Sequence, residues 1–209
     1  MRRVAALVLA LGAGPALGAD APSFEAAVTL ARKGEAPAAA AMFRALAEED
    51  SVAAQANLAV MLARGQGLPQ DDLEAAYWAW RARLGGEARA IALAEHLLTR
   101  LTDEARADLA ERLATDLGEM SAAGDRAALL GLGRIAAQLR QPPDHAEALK
   151  WYSIAAALGV PGAASLRDIL ADEMPAADRL DVQAGAREAF AEWCGGLADG
   201  ERPETCPGA

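Results

Sequence analysis

The sequence predicts an all-α protein, an α/α superhelical solenoid in which about ten helices stack as helical hairpins. Three observations support this fold class. Apolar residues recur at helical spacing along nearly the whole chain, without strand-like alternation. A ten-residue segment returns 73 positions later. Ala, Leu, Arg and Glu, which favour helices, dominate the composition, and aromatic residues make up only 4%.

The first nineteen residues have the layout of a secretory signal peptide. Arg2 and Arg3 form a basic start, a short apolar run follows, and small residues continue to Ala19. The apolar run is too short to span a bilayer, which needs about 20 residues. We therefore expect cleavage after Gly18 or Ala19, a periplasmic or secreted protein, and no membrane insertion afterwards. A buried N-terminal helix is the alternative.

Helix start and stop signals divide the region 20–197, a predicted helical repeat domain, into ten helices. Pro37 suits the first turn of a helix, and Gly65 and Gly67 suit the end of one. Asp71 and Asp144 each precede a glutamate by three residues, which favours a helix start. The predicted helices are Phe24–Lys33, Pro37–Glu49, Val52–Ala63, Asp71–Leu84, Ala88–Arg100, Asp103–Gly118, Asp125–Arg140, Asp144–Leu158, Gly162–Glu173 and Ala176–Leu197.

The repeated segment is part of a longer duplication. Residues 69–78 reappear as residues 142–151, with proline, aspartate, glutamate, alanine and tryptophan in register. The same offset extends over residues 58–118 and 131–191, which we interpret as two copies of a four-helix module. Amphipathic helix pairs of this length bury their apolar stripes only by stacking. The residues expected in the core are Trp78, Trp151, Leu58, Leu93, Leu97, Leu132 and Leu166.

Small residues, glycines and an aromatic residue occur in a fixed order around both copies. The first copy contains Ala56-Asn57-Leu58-Ala59, Gly65-x-Gly67-x-Pro69 and Glu74-Ala75-x-x-Trp78; the second contains Ala146-Glu147-Ala148-Leu149-Lys150-Trp151-Tyr152 and Gly159. This pattern resembles the Sel-one-like repeat, a relative of the tetratricopeptide repeat. The resemblance implies a tetratricopeptide-like solenoid that acts as a scaffold or adaptor, often in bacterial envelopes. The second copy departs from the pattern where Arg140-Gln141-Pro142-Pro143 replaces the glycine-rich turn.

The charge balance limits the class of partner. The chain has 20 basic and 30 acidic residues, and removal of Arg2 and Arg3 leaves a net charge of −12 (18 − 30). Nucleic acids and anionic membranes require basic surfaces. We therefore expect a protein or peptide partner in the cell envelope and no nucleic acid.

Two cysteines, Cys194 and Cys206, lie near the C-terminus. In an exported protein such a pair indicates one disulfide, which would tie an irregular tail, residues 198–209, to the last helix. A redox pair or half of a metal site is the alternative, although the C-x-x-C spacing that would favour either is missing.

The sequence contains no pattern typical of an active site. His96 and His145 are not part of an H-E-x-x-H motif, and no serine lies in a G-x-S-x-G or S-x-x-K arrangement. The acidic clusters fall at predicted helix ends, where carboxylates favour helix starts. We therefore predict a non-enzymatic protein without a catalytic residue, cofactor or metal site. A small hydrolase that uses scattered carboxylates is a weaker alternative.

The helix Asp71–Leu84 is apolar on nearly every side, which leaves two interpretations open. Either the helix is buried between neighbouring helices, or it has one apolar stripe toward the core and exposes a second one to solvent. In the second case the stripe would bind a partner protein, because Tyr, Trp and Arg are common interface anchors. An envelope carbohydrate or peptidoglycan binder with aromatic rings stacked on sugars is the other class of function. The candidate partner-binding residues of a scaffold or regulator are Tyr77, Trp80, Arg81 and Leu84.

Overall fold

The computed structural model describes residues 23–198 and 200–207. Every regular element within these residues is a helix, which confirms the predicted all-α solenoid. The predicted signal peptide, residues 1–19, lies outside the described residues. In this part of the chain, no helix combines the length and apolarity needed to cross a bilayer. The helices are α1 (Phe24–Arg32), α2 (Ala36–Glu48), α3 (Val52–Arg64), α4 (Asp72–Leu84), α5 (Ala90–Leu98), α6 (Asp103–Ala122), α7 (Arg126–Gln138), α8 (His145–Ala157), α9 (Ala163–Glu173) and α10 (Ala176–Gly196).

Local signals set most helix ends where the sequence predicts them. Asp71 is extended and accepts the N–H of Glu74 at 3.0 Å, and Asp144 accepts the N–H of Glu147 at 2.9 Å. Gly65 ends α3 in the left-handed conformation. The largest difference is at the end of α6, which continues to Ala122 although Gly118 was its predicted end. Glycine weakens a helix without ending it when nothing else changes the backbone direction.

The helices of the second half repeat those of the first in register. The ranges of α4 and α8 differ by 73 at both ends (145 − 72 and 157 − 84), and α5 and α9, like α6 and α10, begin 73 residues apart. The ranges of α3 and α7 differ by 74 at both ends (126 − 52 and 138 − 64). The turn before the second helix of the pair is therefore one residue shorter in the second copy.

Each four-helix unit has the same internal packing. The first three helices of each unit pack in succession, whereas the fourth packs on the second and not on the third: α6 on α4, and α10 on α8. The α6 helix packs more extensively on α7, which joins the two units. A groove lies in each unit where the second and fourth helices meet.

The interior consists of two main clusters, and α7 contributes to both. Ile135 and Leu139 belong to the cluster built on α1–α6, whereas Leu129 and Leu130 belong to the cluster built on α8–α10. Trp80 lies in the first cluster, so one side of α4 is covered in the core that α7 completes. This packing explains why α4 has no polar face.

The predicted core is confirmed in part. Trp78, Leu58 and Leu97 are buried. Leu93, Leu132 and Leu166 are half-buried at the edges of the clusters. Trp151 is also half-buried: it packs against the second cluster and lines a groove, so it is not fully enclosed in the core.

The chain folds back after α10. Cys194 and Cys206 form a disulfide with their Cα atoms 5.7 Å apart, and both residues are buried. Leu197 lies between them in sequence, is 4% exposed and packs beside Gly124 in the turn between α6 and α7. The tail therefore covers the end of α10 next to that turn.

Candidate functional site

Two grooves lie at equivalent places in the two units. The first groove runs between α4 and α6 beside the end of α2 and has a volume of about 540 Å³. The second groove runs between α6, α7, α8 and α10 and has a volume of about 580 Å³. The 73-residue offset relates their linings in pairs: Glu74 and Glu147, Tyr77 and Lys150, Trp78 and Trp151, Asp116 and Ala189, Glu119 and Glu192, and Met120 and Trp193.

Several charged and polar side chains of the first groove pair with one another. The hydroxyl of Tyr77 donates to Asp116, and Arg81 donates to the same carboxylate at 3.3 Å while it pairs with Asp50. Arg112 pairs with Glu74 and places its guanidinium 3.6 Å from the centre of the Tyr77 ring. Charged hydrogen bonds thereby link α4 to α6 and to the turn that follows α2.

Tyr77 remains a neutral donor in this network. Burial, followed by the hydrogen bond to the Asp116 carboxylate, raises the pKa of Tyr77 to about 12. A phenolate beside Asp116 would place two negative charges together, so the protonated hydroxyl is strongly favoured. The network accordingly holds its charges in fixed pairs at neutral pH.

The second groove lacks the equivalents of these partners. Gly185 and Ala189 of α10 occupy the positions that correspond to Arg112 and Asp116 (112 + 73 and 116 + 73). Because both side chains are small, they leave the groove open beside Trp151. Trp193, which replaces Met120, adds a second aromatic wall.

The polar edges of the two indoles are fixed within the second groove. Trp151 Nε1 donates to Glu147 at 2.6 Å, and Lys150 pairs with the same carboxylate at 2.6 Å while its Nζ lies 4.7 Å from the centre of the Trp151 ring. Trp193 Nε1 donates to the backbone oxygen of Ser121 at 2.9 Å and to its hydroxyl at 3.1 Å. Both rings therefore have satisfied N–H groups and are positioned by hydrogen bonds.

The floor of the second groove consists of small residues. Ala114, Gly118 and Ala122 of α6 line it on one side, and Ala189 and Gly196 of α10 line it on the other. The same face of α6 continues past Ala114 into a depression of about 1050 Å³ beside the turn between α7 and α8. Small side chains allow another backbone to approach closely, which suits a peptide segment more than a compact metabolite.

The structure separates the four predicted partner-binding residues. Trp80 is 1% exposed, so its role as an exposed anchor is wrong and the buried interpretation of α4 applies. Tyr77 is 7% exposed and reaches only the wall of the first groove, where Arg81 joins it. Leu84 is half-buried and lines a small cavity of about 100 Å³ with Arg81.

Sequence reasoning missed Trp193 as a groove residue. It comes from the helix pair that carries the weaker part of the repeat signal, and its equivalent in the first unit is Met120. The 73-residue offset pairs Met120 with Trp193 and Trp78 with Trp151, but only the structure shows that each of these pairs lines one groove.

The described residues 23–198 and 200–207 contain no group of three or more His, Cys, Asp or Glu side chains that could hold a metal ion. His96 and His145 are both exposed; His96 lies on α5, and His145 is the first residue of α8. In the first groove, the carboxylates of Asp50, Asp116 and Glu74 are paired with arginines. These ion pairs connect the neighbouring helices.

Comparison with known families adds one finding. The Sel1 repeat matches residues 52–86 and 126–160, which are the helix pairs α3–α4 and α7–α8 with the glycine turns that follow. The curated proteins and the solved structures gave no significant match. Sel1 repeats build helical scaffolds for protein interaction that are generally not enzymes. The chain therefore carries two Sel1 repeats, as its motif pattern predicts, and such repeats suggest a helical scaffold for protein interaction.

Proposed function

We propose that this chain is an exported, non-enzymatic scaffold or regulator that holds a segment of a partner protein of the cell envelope in the second groove. The observation that carries the proposal is the difference between the two equivalent grooves. The first groove is crossed by internal ion pairs, and the second presents two positioned indole rings above a floor of small residues.

The first groove is a poor site for a partner. Its charged side chains already pair with each other, Arg81 with Asp116 and Arg112 with Glu74. A ligand that used these groups would have to replace contacts that the chain already makes, so it would gain little from them. The network instead holds α2, α4 and α6 together.

The second groove meets the requirements of an interface centre. The N–H groups of Trp151 and Trp193 already have acceptors, so a partner can cover both rings without desolvating an unpaired donor. Tryptophan is among the residues that contribute most to binding when it is covered. The charged lining is balanced, with Arg140 and Lys150 facing Glu147 and Glu192. A segment with apolar side chains toward the rings and polar ones toward the rim fits this arrangement.

Export is the second part of the proposal. The layout of residues 1–19 is that of a signal peptide. A disulfide between Cys194 and Cys206 is the pairing expected outside the reducing cytoplasm. A fusion of residues 1–22 to a reporter that is active only after export tests this part by itself.

Photo-crosslinking in cells tests the binding part. A photoreactive amino acid is placed at Ala122 or Ala189 in the second groove, and at Glu48 in the first groove or Ile91 on the outer face of α5 as matched controls. We expect the same partner protein from both second-groove positions and not from the controls. The purified partner should then bind at least tenfold more weakly to Trp193→Ala than to the unmodified chain.

Other outcomes contradict the proposal in distinct ways. Capture from Glu48 alone would move the site to the first groove. Recovery of glycan alone would favour the carbohydrate-binding alternative. Equal capture from Ile91 would show that the crosslinks report contact by chance.

A further inference from the structure

The last turn of α10 carries the aromatic wall of the second groove and has few contacts of its own. Ala186 and Cys194 are the fully buried residues along the 21 residues of this helix. By contrast, α6 is of similar length and buries five residues, which end with Ser121. Trp193 is half-buried against the second cluster, so the contacts at the end of α10 help to hold it in place.

Two contacts fasten this end to the neighbouring unit. Trp193 donates to both oxygen atoms of Ser121, and Leu197 packs beside Gly124 one turn further along. Leu197 lies in the loop that the bond between Cys194 and Cys206 closes. The disulfide thus restrains the residues that follow Trp193 directly.

We propose that the Cys194–Cys206 disulfide is a redox-sensitive latch for Trp193. In the oxidised chain the closed loop keeps Leu197 against Gly124 and Trp193 on Ser121, so the second groove has its α10 wall. In the reduced chain the residues after Cys194 are released, the last turn of α10 frays, and Trp193 leaves Ser121. The inference concerns the shape of the chain and does not require that a partner binds.

The redox step is an ordinary thiol–disulfide exchange. A dithiol donor attacks one sulfur of the Cys194–Cys206 pair, and its second thiol then resolves the mixed disulfide. The pair gains two electrons and two protons and becomes two thiols, while the donor becomes a disulfide. Both cysteines are buried, so the folded chain admits the donor only after the tail lifts.

The expected effect is large enough to measure locally. The two cysteines are twelve positions apart, and closing a loop of that size favours the docked tail by about 100-fold in the chain-entropy description. Hydrogen exchange in the last turn of α10 should accelerate by up to about that factor on reduction. The remainder of the array should exchange as before, since the latch lies at its end.

Fluorine NMR of the chain labelled with 5-fluorotryptophan reads the latch directly. Each of the four tryptophans gives one resonance, and Trp193→Phe assigns that of Trp193. Dithiothreitol is titrated against its oxidised form, and alkylation followed by mass spectrometry counts the free thiols. We expect the Trp193 resonance to shift with the same midpoint as thiol formation. The resonances of the buried Trp78 and Trp80 should stay in place and report that the fold is intact.

The variant Cys206→Ala provides a second measurement in case the buried bond resists the dithiol. Its Trp193 resonance should match that of the reduced chain and should not respond to dithiothreitol. An unchanged Trp193 resonance in both this variant and the reduced chain would overturn the inference. A simultaneous change of all four resonances would also overturn it, because the bond would then hold the whole fold and not Trp193.

Discussion

The indole N–H of Trp151 donates to Glu147, one turn earlier on α8, at 2.6 Å. Trp78 is the equivalent residue in the first copy of the repeat, but its indole N–H has no acceptor among the described residues. In the first unit the equivalent glutamate, Glu74, pairs with Arg112 instead. The same spacing of glutamate and tryptophan thus belongs to a groove crossed by ion pairs in one copy and to a groove with a positioned indole in the other.

The first prediction concerns Glu147. Glu147→Ala removes the acceptor of Trp151 and the partner of Lys150, so we expect the free energy of unfolding to fall by about 1 kcal/mol. Glu147→Gln is the matched control because its amide oxygen still accepts the indole N–H, and it should cost less. Urea unfolding followed by circular dichroism measures both. If both variants lost the same unfolding free energy, the Lys150–Glu147 ion pair, and not the hydrogen bond from Trp151, would account for the effect.

The second prediction concerns Trp80. Its ring is fully buried in the cluster that includes Ile135 and Leu139, and Trp80→Ala should lower the free energy of unfolding by about 3–5 kcal/mol. Trp193→Ala is a suitable comparison because that ring is half-buried, and its loss should be smaller. A Trp80→Ala protein with unchanged stability would return Trp80 to the set of exposed anchors.

The third prediction concerns two glycines within helices. A Cβ on Gly133 would lie 2.5 Å from the ring of Tyr152, so α7 and α8 would have to separate. We expect Gly133→Ala to destabilise the chain by about 1–3 kcal/mol. A Cβ on Gly118 of α6 meets nothing within 4 Å, so Gly118→Ala should stabilise the helix by about 0.5–1 kcal/mol. Thermal unfolding of the two variants should therefore shift in opposite directions.

The fourth prediction concerns pH. The pKa of Tyr77 is raised from 10.0 to about 12, first by burial and then by the hydrogen bond to Asp116. The folded chain thus keeps this proton when the unfolded chain has lost it. The contribution is fully present below pH 10 and is lost as the pH rises through about 12.

Stability curves of the parent chain and of Tyr77→Phe between pH 9 and pH 12 test this dependence. The difference in unfolding free energy between the two proteins should shrink as the pH rises above about 10. Absorbance at 295 nm should show one fewer late-ionising tyrosine in the variant. If the difference in unfolding free energy stayed constant across this range, the hydrogen bond from the protonated Tyr77 to Asp116 would not contribute to stability as proposed.

The sequence was a sound guide to features that are determined locally. Helix starts at Asp71 and Asp144 and the end at Gly65 follow from hydrogen bonds and backbone angles within a few residues. The fold class followed because helical spacing and a fixed repeat both act along the chain.

Burial was harder to predict because it depends on what lies opposite. Trp78 and Trp151 occupy equivalent places in the repeat, yet the first is buried and the second is half-buried. The helices beside them differ, because Gly185 and Ala189 of α10 stand in place of Arg112 and Asp116 of α6. Trp80 was ambiguous for a similar reason, since its cluster includes Ile135 of α7, 55 residues away in sequence (135 − 80).

The shared position of α7 has a consequence for how the molecule comes apart. Its residues are divided between the two hydrophobic clusters, with Ile135 in one and Leu130 in the other. If either half unfolded as a whole, it would expose α7 side chains that pack in its cluster, so we expect the two halves to unfold together, whereas fraying confined to the end of α10 leaves this shared helix covered. A truncation that ended before α7 would expose apolar surface on the remaining helices.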